Sequence, residues 1–205
     1  MTLPAAMIAD IFRLNLFRVS DAVWVDSDVF CVAPIQFEQP YVMGTIVSGR
    51  VNNAVLRLPS DAPEIGAMLG HFESVRQTLP GAGPEATFAD FEAIMGRIQT
   101  REMNRGDFGP RLLSKQLRRN ARADLAMTRA VFYPVDFQEA VALIRRDGAQ
   151  VVETMFTDNT VAVHLWASAL RKFSLKPRFA DMSGSYLDIA FARYGERWQD
   201  WADPA

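Results

Sequence analysis

Cysteine is almost absent from this chain: Cys31 stands alone, so no internal disulfide can staple the fold, and its apolar surroundings predict a buried free thiol in a reducing compartment. No apolar run reaches membrane-spanning length, and residues 1–8 lack the basic start and long apolar core of a signal peptide. Charge of one sign is also missing. A net charge of -2, with Lys and Arg dispersed except at residues 115–119, argues against nucleic acid as the main partner. Internal repeats and low-complexity segments are absent too. What is present is apolar residues, 49% of 205, enough for a sizeable core and one domain spanning 1–205. These features predict a cytoplasmic protein.

The stretch Val23-Trp24-Val25-Asp26-Ser27-Asp28-Val29-Phe30 organises the reading, because an apolar run ends in two acids one position apart. In an extended segment Asp26 and Asp28 face the same side, where their carboxylates repel unless a cation or hydrogen-bond donors intervene. A divalent metal carrying a phosphorylated ligand suits that place. The plainer alternative is a strand ending in an acidic turn. Upstream, residues 4–19 read as a helix, on which Asp10 and Arg13 are three apart and share a face. As an exposed pair they would be an ordinary helix ion pair, but Ile11, Phe12 and Leu14 around them favour a pocket.

The order A-D-I-F-R, apolar helix, h-x-h-D-x-D and V-F-C-V-A-P resembles the sugar-binding region of DXD glycosyltransferases. That branch includes yeast-type α-mannosyltransferases, globoside-type α-galactosyltransferases, clostridial glucosylating toxins and bacterial capsule and lipopolysaccharide transferases. The resemblance implies an α/β fold of GT-A type, with a mixed central sheet flanked by helices. Family members carry a strand and helix ahead of the A-D-x-x-R helix, so it also implies an N-terminally truncated nucleotide-binding half. Two glycines usual before the DXD strand are here Asp21 and Ala22. The implied activity is transfer of a sugar from a nucleotide-sugar donor to a glycan or lipid-linked acceptor, with retention, supported by Mn2+ or Mg2+. Asp28 is then the direct metal ligand, and Asp26 acts through water or holds ribose and sugar hydroxyls. Asp10 accepts from donor-sugar hydroxyls, while Arg13 faces the diphosphate or the sugar. No carboxylate stands out as a nucleophile.

Further along, residues 22–26, 41–47 and 54–58 read as strands. Asn52 and Asn53, in N-N-A-V-L-R-L-P, resemble the segment lining the sugar pocket; the alternative is an Asn turn entering a strand. A helical insertion is expected over about residues 60–122. Its first helix starts at 60–64 and runs to about 79, with His71 on its surface, and Pro80-Gly81-Ala82-Gly83-Pro84 follows as a mobile connection. A helix from Thr87 places Phe88, Phe91, Ile94, Met95 and Ile98 on one side, and residues 104–110 form a loop. Gly109-Pro110-Arg111-Leu112-Leu113 resembles the family G-P-x-x-L segment and opens a helix over 110–122. Lys115, Arg118 and Arg119 on that helix form a solvated face or, alternatively, a peripheral contact with an anionic acceptor or the inner face of a membrane. Val131-Phe132-Tyr133-Pro134 resembles a strand end, residues 137–146 a helix and 161–166 a buried strand. There the resemblance makes His164 a third metal ligand or diphosphate contact, with Trp166 packed beneath it; a core histidine bonded to a carbonyl is the alternative. A closing helix is expected over 186–198, with Leu187, Ile189, Ala190 and Tyr194 available for packing.

Two other readings compete. A phosphatase of the haloacid-dehalogenase class also starts with strand and Asp-x-Asp, but Phe30 replaces its Thr or Val. An aspartic protease would need glycine where Asp28 stands. A degenerate domain that binds a sugar nucleotide without turnover is the non-enzymatic alternative.

Overall fold

A computed structural model of the chain describes residues 3–85, 87–99, 108–172 and 182–193. Its secondary structure is mixed α/β: α1 (Leu3–Phe17), β1 (Trp24–Val25), β2 (Val29–Cys31), β3 (Val42–Thr45), β4 (Val51–Arg57), α2 (Pro63–Arg76), α3 (Phe88–Gln99), α4 (Gly109–Arg119), α5 (Arg129–Phe132), α6 (Gly148–Glu153), β5 (Ala162–His164), α7 (Ala167–Lys172) and α8 (Tyr186–Arg193). The chain divides into two compact units, Met1–Val25 with Phe37–Met127, and Asp26–Gln36 with Thr128–Ala205.

The first unit holds an antiparallel sheet in the order β1-β4-β3. Its central strand is β4, and β1 is a two-residue edge pairing Trp24 with Leu56 and Val25 with Val55. Strands β3 and β4 form a hairpin closed by Ile46 N–H to the Arg50 carbonyl, 2.9 Å, with Gly49 at φ +72°. The turn chemistry therefore sits at Ser48-Gly49, as a short loop with glycine in the left-handed position requires. Asn52 and Asn53 consequently lie inside β4 and are buried, so the Asn turn weighed from the sequence is not formed. One apolar core gathers Leu14, Phe17, Met43, Leu56, Met68 and Leu113, and another gathers Met7, Phe72, Ile94, Met95 and Phe108.

Helix α3 starts in a reciprocal cap: Thr87 N–H donates to Asp90 Oδ2 at 2.8 Å, and Asp90 N–H donates to Thr87 Oγ1 at 3.2 Å. Phe88, expected on its packed side, is exposed instead. Helix α2 has Pro63 in its first turn, and its N-cap is Ala62, which makes no side-chain bond. At the connection 80–84, buried Arg76 donates to the carbonyls of Gly83, 2.5 Å, and Pro84, 3.4 Å. His71 is half-buried, its ring 5.5 Å from that of Phe108, where the sequence predicts a surface residue.

The second unit holds the antiparallel pair β2-β5, in register Val29 with His164, Phe30 with Val163 and Cys31 with Ala162. Cys31 is exposed rather than buried. Val135, Leu143, Val152, Val163, Tyr186 and Leu187 pack together as its core. Residues 131–134 do not end a strand: α5 makes one helical turn, and Tyr133, held out of helical geometry by Pro134, ends it. The expected helix over 137–146 shrinks to a 3-10 turn at Ala140–Leu143, followed by α6. Among the described residues the strands form these two small antiparallel sheets, and a single mixed central sheet is not among them. Residues 104–107 and 194–198, and the side chain of Ile98, lie outside the described residues. No described helix is long and apolar enough to cross a membrane.

Candidate functional site

Asp10, Arg13, Asn52 and Asn53 belong to the first unit; Asp26, Asp28, His164 and Trp166 belong to the second. In the first unit α1 presents Asp10 and Arg13 toward β4. Asn53 Nδ2 donates to Asp10 Oδ1 at 2.8 Å, and Arg13 Nη2 lies 3.4 Å from the same oxygen. Arg13 Nη1 also donates to the Asn53 carbonyl. Arg13 is only 5% exposed, which separates it from a surface i,i+3 pair. Its guanidinium stacks 4.8 Å from the Trp24 ring, and Phe12 tilts onto that ring at 5.9 Å.

Gly109 completes the group. It enters α4 at φ +58°, and a Cβ there would lie 3.2 Å from Asp10 Oδ2 and 3.6 Å from Asn53 Nδ2. Asp10, Asn53 and Gly109 thus meet from three chain segments. Asn52 does not join them: its Oδ1 accepts from Ala54 N–H at 2.9 Å, beside the irregularity where β3 and β4 shift register. A cavity of about 20 Å³, lined by Asp10, Met7, Ile11, Phe72, Phe108 and Gly109, opens beside the cluster. That volume suits about one water, not a sugar. On the outer side of α1 an open groove of about 510 Å³ is lined by Phe12, Asn15, Leu16, Arg18 and Val19.

In the second unit Asp26-Ser27-Asp28-Val29 forms a turn, with Val29 N–H donating to the Asp26 carbonyl at 3.1 Å. The two aspartates therefore do not sit in one extended segment, and the same-side argument from strand alternation fails here. Asp28 sits at the start of β2. Its Oδ1 lies 3.2 Å from His164 Nε2, and its Oδ2 accepts from Ala167 N–H at 3.0 Å, capping the start of α7. Burial would raise the Asp28 carboxyl, but the hydrogen bond and charge of His164, with the Ala167 N–H, outweigh it and hold it below the usual carboxylate value. The His164 ring lies 4.0 Å from the Trp166 ring and 5.9 Å from Tyr133. Trp166 adopts φ +54° and donates Nε1–H to the Val135 carbonyl at 2.8 Å. His164 Nδ1 is buried without a hydrogen-bond partner among the described residues.

Trp24 packs on Arg13 and Tyr133 on His164, and the sequence singles out neither as a site residue. Trp24 had a signal, an aromatic two places before Asp26, but its stack on Arg13 depends on how β1 lies beside α1. Among the described residues no three His, Cys, Asp or Glu side chains are grouped as a metal cage. Compared with protein-family models, curated proteins and solved structures, the chain matches none.

Proposed function

We propose that this chain is a metal-dependent glycosyltransferase of the DXD type with a GT-A-like fold, moving a sugar from a nucleotide-sugar donor to a glycan or lipid-linked acceptor, as in surface polysaccharide synthesis. The observation that carries the reading is the gathering of Asp10, Arg13, Asn53 and Gly109, from three segments that also follow the order of the resemblance. Arg13 and Asn53 fix the orientation of the Asp10 carboxylate, and a fixed carboxylate is what recognition of sugar hydroxyls requires.

Asp28 would hold Mn2+ or Mg2+, with Asp26 acting through water; His164, expected from the sequence as a third ligand, turns its Nε2 to Asp28 Oδ1 and so positions the carboxylate instead of ligating. The Asp28 carboxylate meets three protein donors, His164 Nε2, Ala167 N–H and its own N–H, and its two oxygens offer about four lone-pair sites. The carboxylate therefore suits an ion whose shell is completed by phosphate oxygens and water, and not a closed protein cage. When bound, such an ion offsets the charge developing on the departing nucleoside diphosphate. Trp166 limits the movement of the His164 ring, and Ala167 N–H holds Asp28 in place.

A second reading, a domain that binds a sugar nucleotide without turnover, is favoured by the same bonds, since they give Asp28 a structural role. Thermal unfolding with a panel of UDP- and GDP-sugars, with and without Mn2+, tests both. Ligand at a hundred times its Kd stabilises the folded chain by about 2.7 kcal/mol, a readily measured shift. The shift should require Mn2+ and should vanish in Asp10→Asn. Stabilisation without hydrolysis would favour the non-catalytic domain, and phosphate release from a simple monoester would favour the phosphatase.

A further inference from the structure

The outer face of α4 carries Arg111, Lys115, Arg118 and Arg119, all exposed, while Leu112, Leu113 and Leu117 point into the core. Spacings of four, seven and eight keep the four cations on one side of the helix. No acidic residue lies on α4, and none of the four has an ion-pair partner among the described residues. The helix dipole favours Arg118 and Arg119 in the last turn, but helix stability does not call for Arg111 and Lys115. Arg111 occupies the first turn, where the helix dipole favours an acid, and Arg111 and Lys115 repel each other at i,i+4.

We propose that this face docks on an anionic phospholipid surface, its cations against the headgroups. Nucleic acid offers the same charge, but α4 carries no aromatic for base stacking. The inference stands apart from the glycosyltransferase reading, because it uses none of the residues assigned to the donor or the metal.

Co-sedimentation of the full chain with vesicles of phosphatidylcholine alone, and of phosphatidylcholine mixed with phosphatidylglycerol, tests it. The chain should partition onto the mixed vesicles only, and added salt should release it. Each cation contributes about fivefold, so K115A/R118A should weaken partition about 25-fold. R111A/R119A should match it, and circular dichroism checks that both variants fold. Absence of binding to mixed vesicles, equal binding to neutral ones, no effect in a folded variant, or retention by double-stranded DNA without vesicle binding would each overturn the proposal.

Discussion

Glu64 is fully buried at the start of α2, yet each of its carboxylate oxygens has a donor: Asn120 Nδ2 at 2.7 Å on Oε1 and the Tyr41 hydroxyl at 3.1 Å on Oε2. Arg122 Nη1 lies 3.5 Å from Oε2 and donates to the Tyr41 oxygen as well. Burial, with Glu64 beside it, pushes the Tyr41 phenol up to about 12, although Arg122 pulls the other way. Removing the carboxylate leaves three donors facing an empty site. Glu64→Ala should therefore cost about 3 kcal/mol in urea unfolding, with Glu64→Gln costing less because it keeps one acceptor. None of this was legible in the sequence, where Glu64 is simply an acid favoured in the first turn of a helix. Asp10 and Arg13 were legible as a pair because their spacing is local, whereas Asn53 joins them only through the placing of β4 beside α1.

Asp28 makes a second prediction at this scale. Its carboxyl is held below the ordinary value, so the stability it contributes is complete above that value and is lost as pH falls through the lowered one. Urea midpoints measured from about pH 6 to pH 3 should fall for the wild type. The gap between wild type and Asp28→Asn should narrow over the same range. A gap that widened on acidification would contradict the assignment.

At the scale of elements, α4 ends in a Schellman motif: Arg122 N–H donates to the Leu117 carbonyl at 2.8 Å and Ala121 N–H to the Arg118 carbonyl at 3.2 Å. The left-handed position is held by Ala121 at φ +53°, where a Cβ is strained. Ala121→Gly should accordingly stabilise the chain by about 0.5–1 kcal/mol, seen as a higher urea midpoint with an unchanged slope. The long helices α1, α2, α3 and α4 were legible from their apolar period and, in α2 and α4, from a proline in the first turn. The short elements were not. In α5 one helical turn stands in an apolar, partly β-branched run that reads as a strand; Pro134 stops it after four residues, and Thr160 Oγ1 donates to the Ala130 carbonyl at 2.7 Å.

On the scale of the whole molecule, a central mixed sheet was expected, and each of the two units instead holds its own small antiparallel sheet. Hydrophobic runs show that strands exist but not which of them pair, and a two-residue β1 gives little pattern to read. The eight residues expected at the site fall into two groups, Asp10, Arg13, Asn52 and Asn53 in one unit and Asp26, Asp28, His164 and Trp166 in the other. The proposed metal-dependent transfer needs a contribution from each group, Asp10 in the first unit and Asp28 in the second. Release of nucleoside diphosphate from UDP- and GDP-sugars, followed in the wild type, Asp10→Asn and Asp28→Asn with Mn2+ or with chelator, tests it most directly. Turnover of at least one donor that chelator removes, and that each substitution reduces about a hundredfold or more, is the predicted result. Absence of turnover with every donor, or turnover that survives both substitutions, would contradict it.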